Sequence, residues 1–381
     1  MKLIMNRKKD HNENIQIKYK SLCLLPLDLL RTIILYLSAN EYILFRRTSK
    51  RINSISNIKL SFVHCGISPL KEYSNFKIEN MYFYTYNFKD IENFKKMNIN
   101  YEKLMLSITF FDFGEDLKCF SNIKNLTKLS LPDISSRQLE KLLDVIKNQN
   151  IKILKFSTHE KITEKINDYN NIKYLQLSYL YTSFIPDFSE IKDTSTIRIS
   201  KLVFYKHESF NFKKYNKNIF ENLKLNFIMC YSLTDDDIFD LIDFPIISLH
   251  LEGCSGITNT SLSYVSKMPH LKKLHLSCLV NIHNYELEIL KNSPILDLEL
   301  SMMNINDKIL DFINFMNLQT LTLNSIGITK RLYDMLKFFA IEKKIKINLY
   351  FCDISNSLLQ EINNNKNLFN INKVYPFNIF D

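Results

Sequence analysis

Between residues 246 and 300 the chain spells one phrase three times: Ile246-Ile247-Ser248-Leu249-His250-Leu251, Leu271-Lys272-Lys273-Leu274-His275-Leu276 and Ile295-Leu296-Asp297-Leu298-Glu299-Leu300. The rule is apolar, two residues, apolar, one residue, apolar. The last two apolar positions alternate with polar neighbours, as in a short strand with one buried face. Each phrase is followed by a second apolar segment, such as Leu262–Val265 or Leu287–Leu290, which predicts a helix packed behind the strand. One such unit cannot bury its own apolar face, so neighbours must stack into a solenoid with a continuous core. A solenoid of this kind presents a binding surface rather than a catalytic pocket.

The phrase extends outward to Leu318-x-x-Leu321-x-Leu323, Ile172-x-x-Leu175-x-Leu177 and Leu126-x-x-Leu129-x-Leu131. Looser copies place repeat starts near Asn57, Ile78, Tyr101, Ile151, Ile199, Asn222, Lys344 and Leu368. At Asn57, Asn222 and Lys344 the first apolar slot is poorly filled, so those boundaries are soft. The spacing is about 24 residues, within the roughly 20–29 of a leucine-rich repeat. The fold class that follows is α/β, a curved parallel sheet backed by helices. Cys65, Cys230, Cys254 and Cys352 all fall at the ninth position of their repeats. A small buried polar group there can bond backbone groups that the turn releases. Cys254-Ser255-Gly256-Ile257-Thr258-Asn259 and Cys230-Tyr231-Ser232-Leu233-Thr234-Asp235 resemble the cysteine-containing subtype of the repeat, common in F-box proteins. Thr109, Ile134, Leu180, Met303 and Ile326 depart from it at the same slot.

Composition agrees with this architecture. A chain of 381 residues at 46% hydrophobic can bury a large core, and only 5 Gly and 8 Pro argue against long disordered linkers beyond the first 20 or so residues. Abundant Asn, Lys and Ile suggest a coding bias, which weakens any inference from lysine counts. The 7 cysteines include no Cys-x-x-Cys pair, so they read as buried thiols in a reducing compartment rather than as zinc ligands. No apolar run reaches the roughly 18–20 residues of a spanning helix: Leu22 to Leu37 is broken by Pro26, Asp28 and Arg31. A cytoplasmic or nuclear protein is expected.

Residues 1–20 form a polar tail, and residues 21–56 do not fit the repeat. Leu29, Ile33 and Leu37 lie at i, i+4 and i+8, flanked by Leu30 and Ile34, which makes one wide apolar stripe on a helix that Pro26 suits at its start. Asn40 and Thr48 are placed to cap two further short helices. The segment resembles the F-box. Leu25-Pro26 opens the pattern, followed by Asp28, Leu29 and Leu30, then Ile33, Ile34, Tyr36 and Leu37, then Glu41, Tyr42 and Ile43. At its close, Thr48 and Ile52 replace the family's Val and Trp. The resemblance implies a three-helix F-box ahead of a solenoid of about 13–14 repeats over residues 57–381. It further implies a substrate receptor of a cullin-based ubiquitin ligase. Leu25, Pro26, Leu29, Leu30, Ile33, Ile34 and Leu37 would dock on a Skp-type adaptor while the repeats hold a substrate protein. No catalytic residue, metal or cofactor is implied. A repeat scaffold that recruits no ligase is the alternative.

The substrate surface is expected on the outward strand face, at the third, fifth and seventh repeat positions. The third position reads Lys59, Asn80, Lys103, Lys128, Ile153, Tyr174, Lys201, Lys224, Ser248, Lys273, Asp297 and Thr320, a mostly basic row with an acidic interruption near its end. With a formal net charge of +10, this favours an acidic or phosphorylated substrate over nucleic acid, for which arginines and interleaved aromatics are lacking. His250, His275 and Glu299 share the fifth position of successive repeats, where they could converge on a metal or form a pH-sensitive contact. The repeats run almost to Asp381, so the C-terminal catalytic domain of bacterial leucine-rich-repeat ligases is not expected.

Overall fold

The computed structural model describes residues 59–65, 77–85, 88–97, 99–108, 117–158, 160, 164–169, 171–180, 188, 191, 197–282, 284–303, 316–365, 368–372 and 375–376. The adaptor-side residues Leu25 to Leu37 lie outside them. The chain divides into two compact units, residues 1–132 with 144–152, and residues 133–143 with 153–381.

The first unit carries β1 (Lys59–Cys65), β2 (Lys77–Thr85), α1 (Phe88–Lys96), β3 (Asn100–Ile108) and β4 (Leu126–Asp133). Its strands are parallel and lie side by side in chain order. Helix α2 (Ser136–Ile146) follows β4, with Leu139, Leu142, Leu143 and Ile146 buried along one stripe.

The second unit continues with β5 (Ile153–Ser157), β6 (Tyr174–Leu180), β7 (Arg198–Tyr205), β8 (Phe220–Ile228), α3 (Asp235–Asp240), β9 (Ile246–Glu252), α4 (Asn259–Val265), β10 (Lys273–Ser277), β11 (Asp297–Ser301) and β12 (Thr320–Asn324). After β12 come β13 (Gly327–Ile328), α5 (Lys330–Glu342), β14 (Lys346–Tyr350), β15 (Asp353–Ile354), α6 (Asn356–Asn364), β16 (Phe369–Asn372) and β17 (Tyr375–Pro376). Strands β5 to β12, β14 and β16 pair in parallel, again in chain order, while β13, β15 and β17 make a small separate sheet. This succession of parallel strands with helical segments between them is the α/β solenoid that the repeat predicts.

The inward column is the core. Leu249, Leu274, Leu298 and Leu321 stand opposite one another on β9 to β12, each no more than 1% exposed. Leu251, Leu276, Leu300 and Leu323 form the next column in the same way. Behind them Leu262 and Val265 of α4 are fully buried, as are Leu287 and Leu290 on a 3-10 turn. At the soft repeat boundaries the first apolar slot moves by one residue. Asn222 and Lys344 take positive φ values of 48° and 55°, and Leu223 and Ile345 are buried instead.

From β7 to β14 the strand ends follow one rule that the residue types conceal. Lys206, Met229, Gly253, Cys278, Met302, Ser325 and Phe351, each the eighth residue of its repeat, all have φ between 48° and 61°. Six of the seven carry a side chain, although the left-handed region costs such residues about 1–2 kcal/mol. The backbone gains a ladder bond in return. The amide of Met229 donates to Glu252 O at 2.7 Å, that of Gly253 to Ser277 O at 2.9 Å, and that of Met302 to Asn324 O at 2.9 Å. The turn then directs the ninth residue inward.

Cys230, Cys254 and Cys352 are buried at that ninth position. Each thiol donates to the carbonyl two residues back and to a strand carbonyl of the preceding repeat. Cys230 Sγ reaches Ile228 O and Phe204 O at 3.5 Å, Cys254 Sγ reaches Glu252 O at 3.4 Å and Phe227 O at 3.7 Å, and Cys352 Sγ reaches Tyr350 O at 3.5 Å and Leu323 O at 3.4 Å. Burial pushes the Cys352 thiol pKa up, so it stays protonated as a donor. Cys65 does not share the slot. It ends β1 opposite Phe83, within the ladder rather than on a bend beyond it. His207 occupies the ninth slot after β7, 1% exposed, with its ring against those of Phe204 and Phe210; burial lowers its pKa to about 4.

Consecutive helices are tied by side-chain caps. Thr234 and Asp237 form a capping box on α3. Asp235 accepts from the Thr258 amide (2.9 Å), Thr258 Oγ1 (2.6 Å), the Ser261 amide (3.2 Å) and the Ser261 hydroxyl, so α3 caps α4. Burial works to raise the Asp235 carboxyl pKa, but the hydrogen bonds from Ser261 and Thr258 outweigh it and hold the pKa below its usual value. At Gly256 a Cβ would collide with the Leu233 carbonyl oxygen, so only glycine lets these two turns pass.

Candidate functional site

From β7 to β14 the outward residues stand in columns. Lys201, Lys224, Ser248, Lys273, Asp297, Thr320 and Lys346 follow one another along the third position. Val203, Asn226, His250, His275, Glu299, Thr322 and Asn348 form the fifth-position column beside it. Of the residues expected to bind substrate, Lys201, Lys224, His250 and His275 are therefore brought onto one continuous patch.

Tyr174, Lys128 and Lys103 are not in that column. After a bulge, Gln176 rather than Tyr174 stands opposite Lys201, and Tyr174 pairs with Arg198. The Tyr174 hydroxyl reaches Glu221 at 3.5 Å. In the first unit, Lys128 stands opposite Met105, which itself faces Tyr82, whereas Lys103 faces Asn80. Lys103 and Lys128 thus belong to different columns. The expected single lysine row is corrected to the in-step segment beginning at Lys201. A slip of two residues keeps every side chain on its face, so the hydrophobic pattern cannot reveal it.

The patch is also less basic than its residue types suggest. Lys273 closes an ion pair with Asp297, which cancels both charges locally. Lys224 is exposed and Lys201 half-buried. At the centre the rings of His250 and His275 stack, with centroids 3.9 Å apart and planes within 8°. His250 Nε2 lies 3.2 Å from Glu252 and His275 Nε2 lies 3.6 Å from Glu299, yet neither nitrogen has the alignment of a hydrogen bond. Burial, helped by the charges of His275 and Lys201, lowers the His250 pKa to about 4. Burial also lowers that of His275, against the pull of Glu299 and Glu252. Two nearly parallel rings direct their ring-nitrogen lone pairs side by side rather than at one point, which does not suit a shared metal ion. Among the described residues no group of three or more His, Cys, Asp or Glu side chains is arranged as a metal site. Further along, Asn348 Nδ2 donates to Thr322 Oγ1 at 3.0 Å, and both are buried, so the fifth-position column closes off towards β14.

Residues 22–64 match the family model of the F-box domain. The chain thus carries an F-box match ahead of a solenoid of leucine-rich-repeat type. The match runs past residue 56 into β1, and its residues 22–58 lie outside the described ones. No curated protein matches the sequence. Among solved structures, the fold is similar to that in the crystal structure of the Rad7 and Elc1 complex in yeast, at 17% identity over 90% of each chain with a TM-score of 0.50. It is more loosely similar to that in the mouse RP105/MD-1 complex, at 16% identity over 83% of this chain and 59% of that one (TM-score 0.41). The plant peptide hormone receptor RGFR1 in complex with RGF2 stands further off, at 13% identity over 87% and 57% (TM-score 0.32). Identities this low speak to the fold alone. No helix among the described residues is long and apolar enough to cross a membrane.

Proposed function

We propose that this protein is the substrate-recognition subunit of an SCF-type (Skp–cullin–F-box) ubiquitin ligase. The observation that carries the reading is an F-box match directly ahead of a leucine-rich-repeat solenoid. One part recruits the ligase and the other presents a long binding face. No catalytic side chain is needed, because holding a substrate beside a charged conjugating enzyme raises its effective concentration. In this reading Leu25, Pro26, Leu29, Leu30, Ile33, Ile34 and Leu37 contact the Skp-type adaptor or pack the F-box itself. Lys201 and Lys224, one strand apart, receive an acidic or phosphorylated group of the substrate.

The test is a pull-down of purified Skp-type adaptor at micromolar concentration by the full-length protein and by a chain lacking residues 21–56. Capture by the first and not the second, with circular dichroism showing the repeats still folded, is the expected result. Absence of capture by folded full-length protein overturns the ligase reading in favour of a repeat scaffold.

A further inference from the structure

The outward face of β7 to β11 holds charges of both signs, segregated along the sheet. At one end stand Lys201 and Lys224 on β7 and β8. At the other stand Glu252 on β9 and Glu299 on β11, with the stacked His250 and His275 between their carboxylates. The pair Lys273–Asp297 is satisfied internally and contributes no net charge. Glu252 and Glu299 differ from Asp297 in this respect. Among the described residues the ion-pair partners they face are imidazoles whose pKa burial lowers, so near pH 7 neither carboxylate faces a charged histidine across the ring stack. Both carboxylate side chains remain about one-third exposed, at 35% and 37%, and so are within reach of a ligand. Strands lie about 4.8 Å apart, which puts the centre of the carboxylate end roughly 10–15 Å from that of the lysine end. An extended peptide covers that distance in about four residues.

We propose that the partner segment seated on β7 to β11 is bipolar, placing an acidic group over Lys201 and Lys224 and an arginine or lysine side chain between Glu252 and Glu299 against the His250–His275 stack. This rests on the substrate-receptor reading and adds to it the chemistry and polarity of the bound segment. A cation there is attracted by both carboxylates, and a guanidinium or ammonium group hydrogen-bonds the one it reaches. The two ends select for opposite charges, so a uniformly acidic segment meets repulsion at Glu252 and Glu299.

The probe is a random twelve-residue peptide library displayed on phage, selected against the immobilised full-length protein. The expected outcome is enrichment of sequences carrying an acidic and a basic residue three to six positions apart. With the near-isosteric variant Glu252→Gln/Glu299→Gln the basic residue loses at least ten-fold in enrichment while the acidic one persists. With Lys201→Glu/Lys224→Glu the acidic residue is lost. Enrichment of acidic residues alone, or equal selection by wild type and the glutamine variant, overturns bipolar recognition, as does failure to enrich any sequence. Adaptor pull-down by the same variants, read in parallel, reports on the receptor function separately, because neither substitution touches the F-box.

Discussion

The repeats from β7 to β14 and the repeats from β1 to β4 carry the same kind of phrase, yet they pair differently. In the first set, third position meets third position at every strand: Lys201 faces Lys224, Lys224 faces Ser248, and so on to Lys346. In the second set, β2 and β3 are in step, with Met81 opposite Leu104, but β4 is slipped: Leu106 stands opposite Leu129, although the phrase counted from Tyr101 and Leu126 would align Leu104 with Leu129. Both arrangements bury the same residue types. A slip of one residue would turn the apolar side outward, but a slip of two costs the core nothing in polarity. Repeat spelling therefore specifies which face a residue takes, and strand pairing specifies its neighbour.

The largest expected effect lies in the in-step column. Leu274→Ala removes a side chain flanked by Leu249 and Leu298 and should cost about 2–5 kcal/mol in urea denaturation. Repeats couple chiefly to their neighbours, so hydrogen exchange should rise first on β9 to β11. A loss under about 0.5 kcal/mol would place Leu274 at the surface and undo the in-step description.

The slipped unit is sharpened by double-mutant cycles. Leu129→Ala combined with Leu106→Ala should show a coupling of about 0.5–1.5 kcal/mol, because the two stand directly opposite. Leu129→Ala combined with Leu104→Ala should be close to additive, since Leu104 faces Leu126. The reverse ranking would restore the register counted from the phrase.

The smallest effect at neutral pH concerns the ninth slot, which among the described residues is polar only in the in-step run. His207 has its pKa lowered to about 4 by burial, against 6.5 for the ordinary side chain. Between those values the unfolded chain takes up a proton that the folded chain refuses, so stability falls as pH drops from about 6.5 to about 4 and is unaffected above that window. His207→Phe extends the surrounding phenylalanine cluster and should shrink the fall in melting temperature between pH 7 and pH 4.5. An equal fall in both proteins would remove His207 from the acid response.

Much of the solenoid was legible because its cause is local. The alternation of Leu249 and Leu251 with polar neighbours, and the ninth-position thiols at Cys230, Cys254 and Cys352, follow from the geometry of one strand and one turn. Cys65 misled because the poorly filled phrase at Asn57 set the count wrong. His207 was missed because histidine is not expected where cysteine is the rule. The left-handed eighth residue was hidden for a related reason: only Gly253 advertises it, while Lys206, Met229 and Phe351 adopt it against their own preference. The lysine row was half legible. Its members were correct from Lys201 onward, but the sequence contains nothing to show that Lys273 is spent on Asp297 or that Lys103 and Lys128 stand in different columns.

The chain by itself determined the period, the inward and outward faces and the presence of an F-box, because each depends on residues close together in the sequence. The tertiary structure alone decided which side chains became neighbours, which charges were cancelled and which histidines were held neutral. Those outcomes depend on hydrogen bonds and burial between repeats some 20–30 residues apart, and a shift of two residues in a ladder redistributes them without altering the hydrophobic pattern.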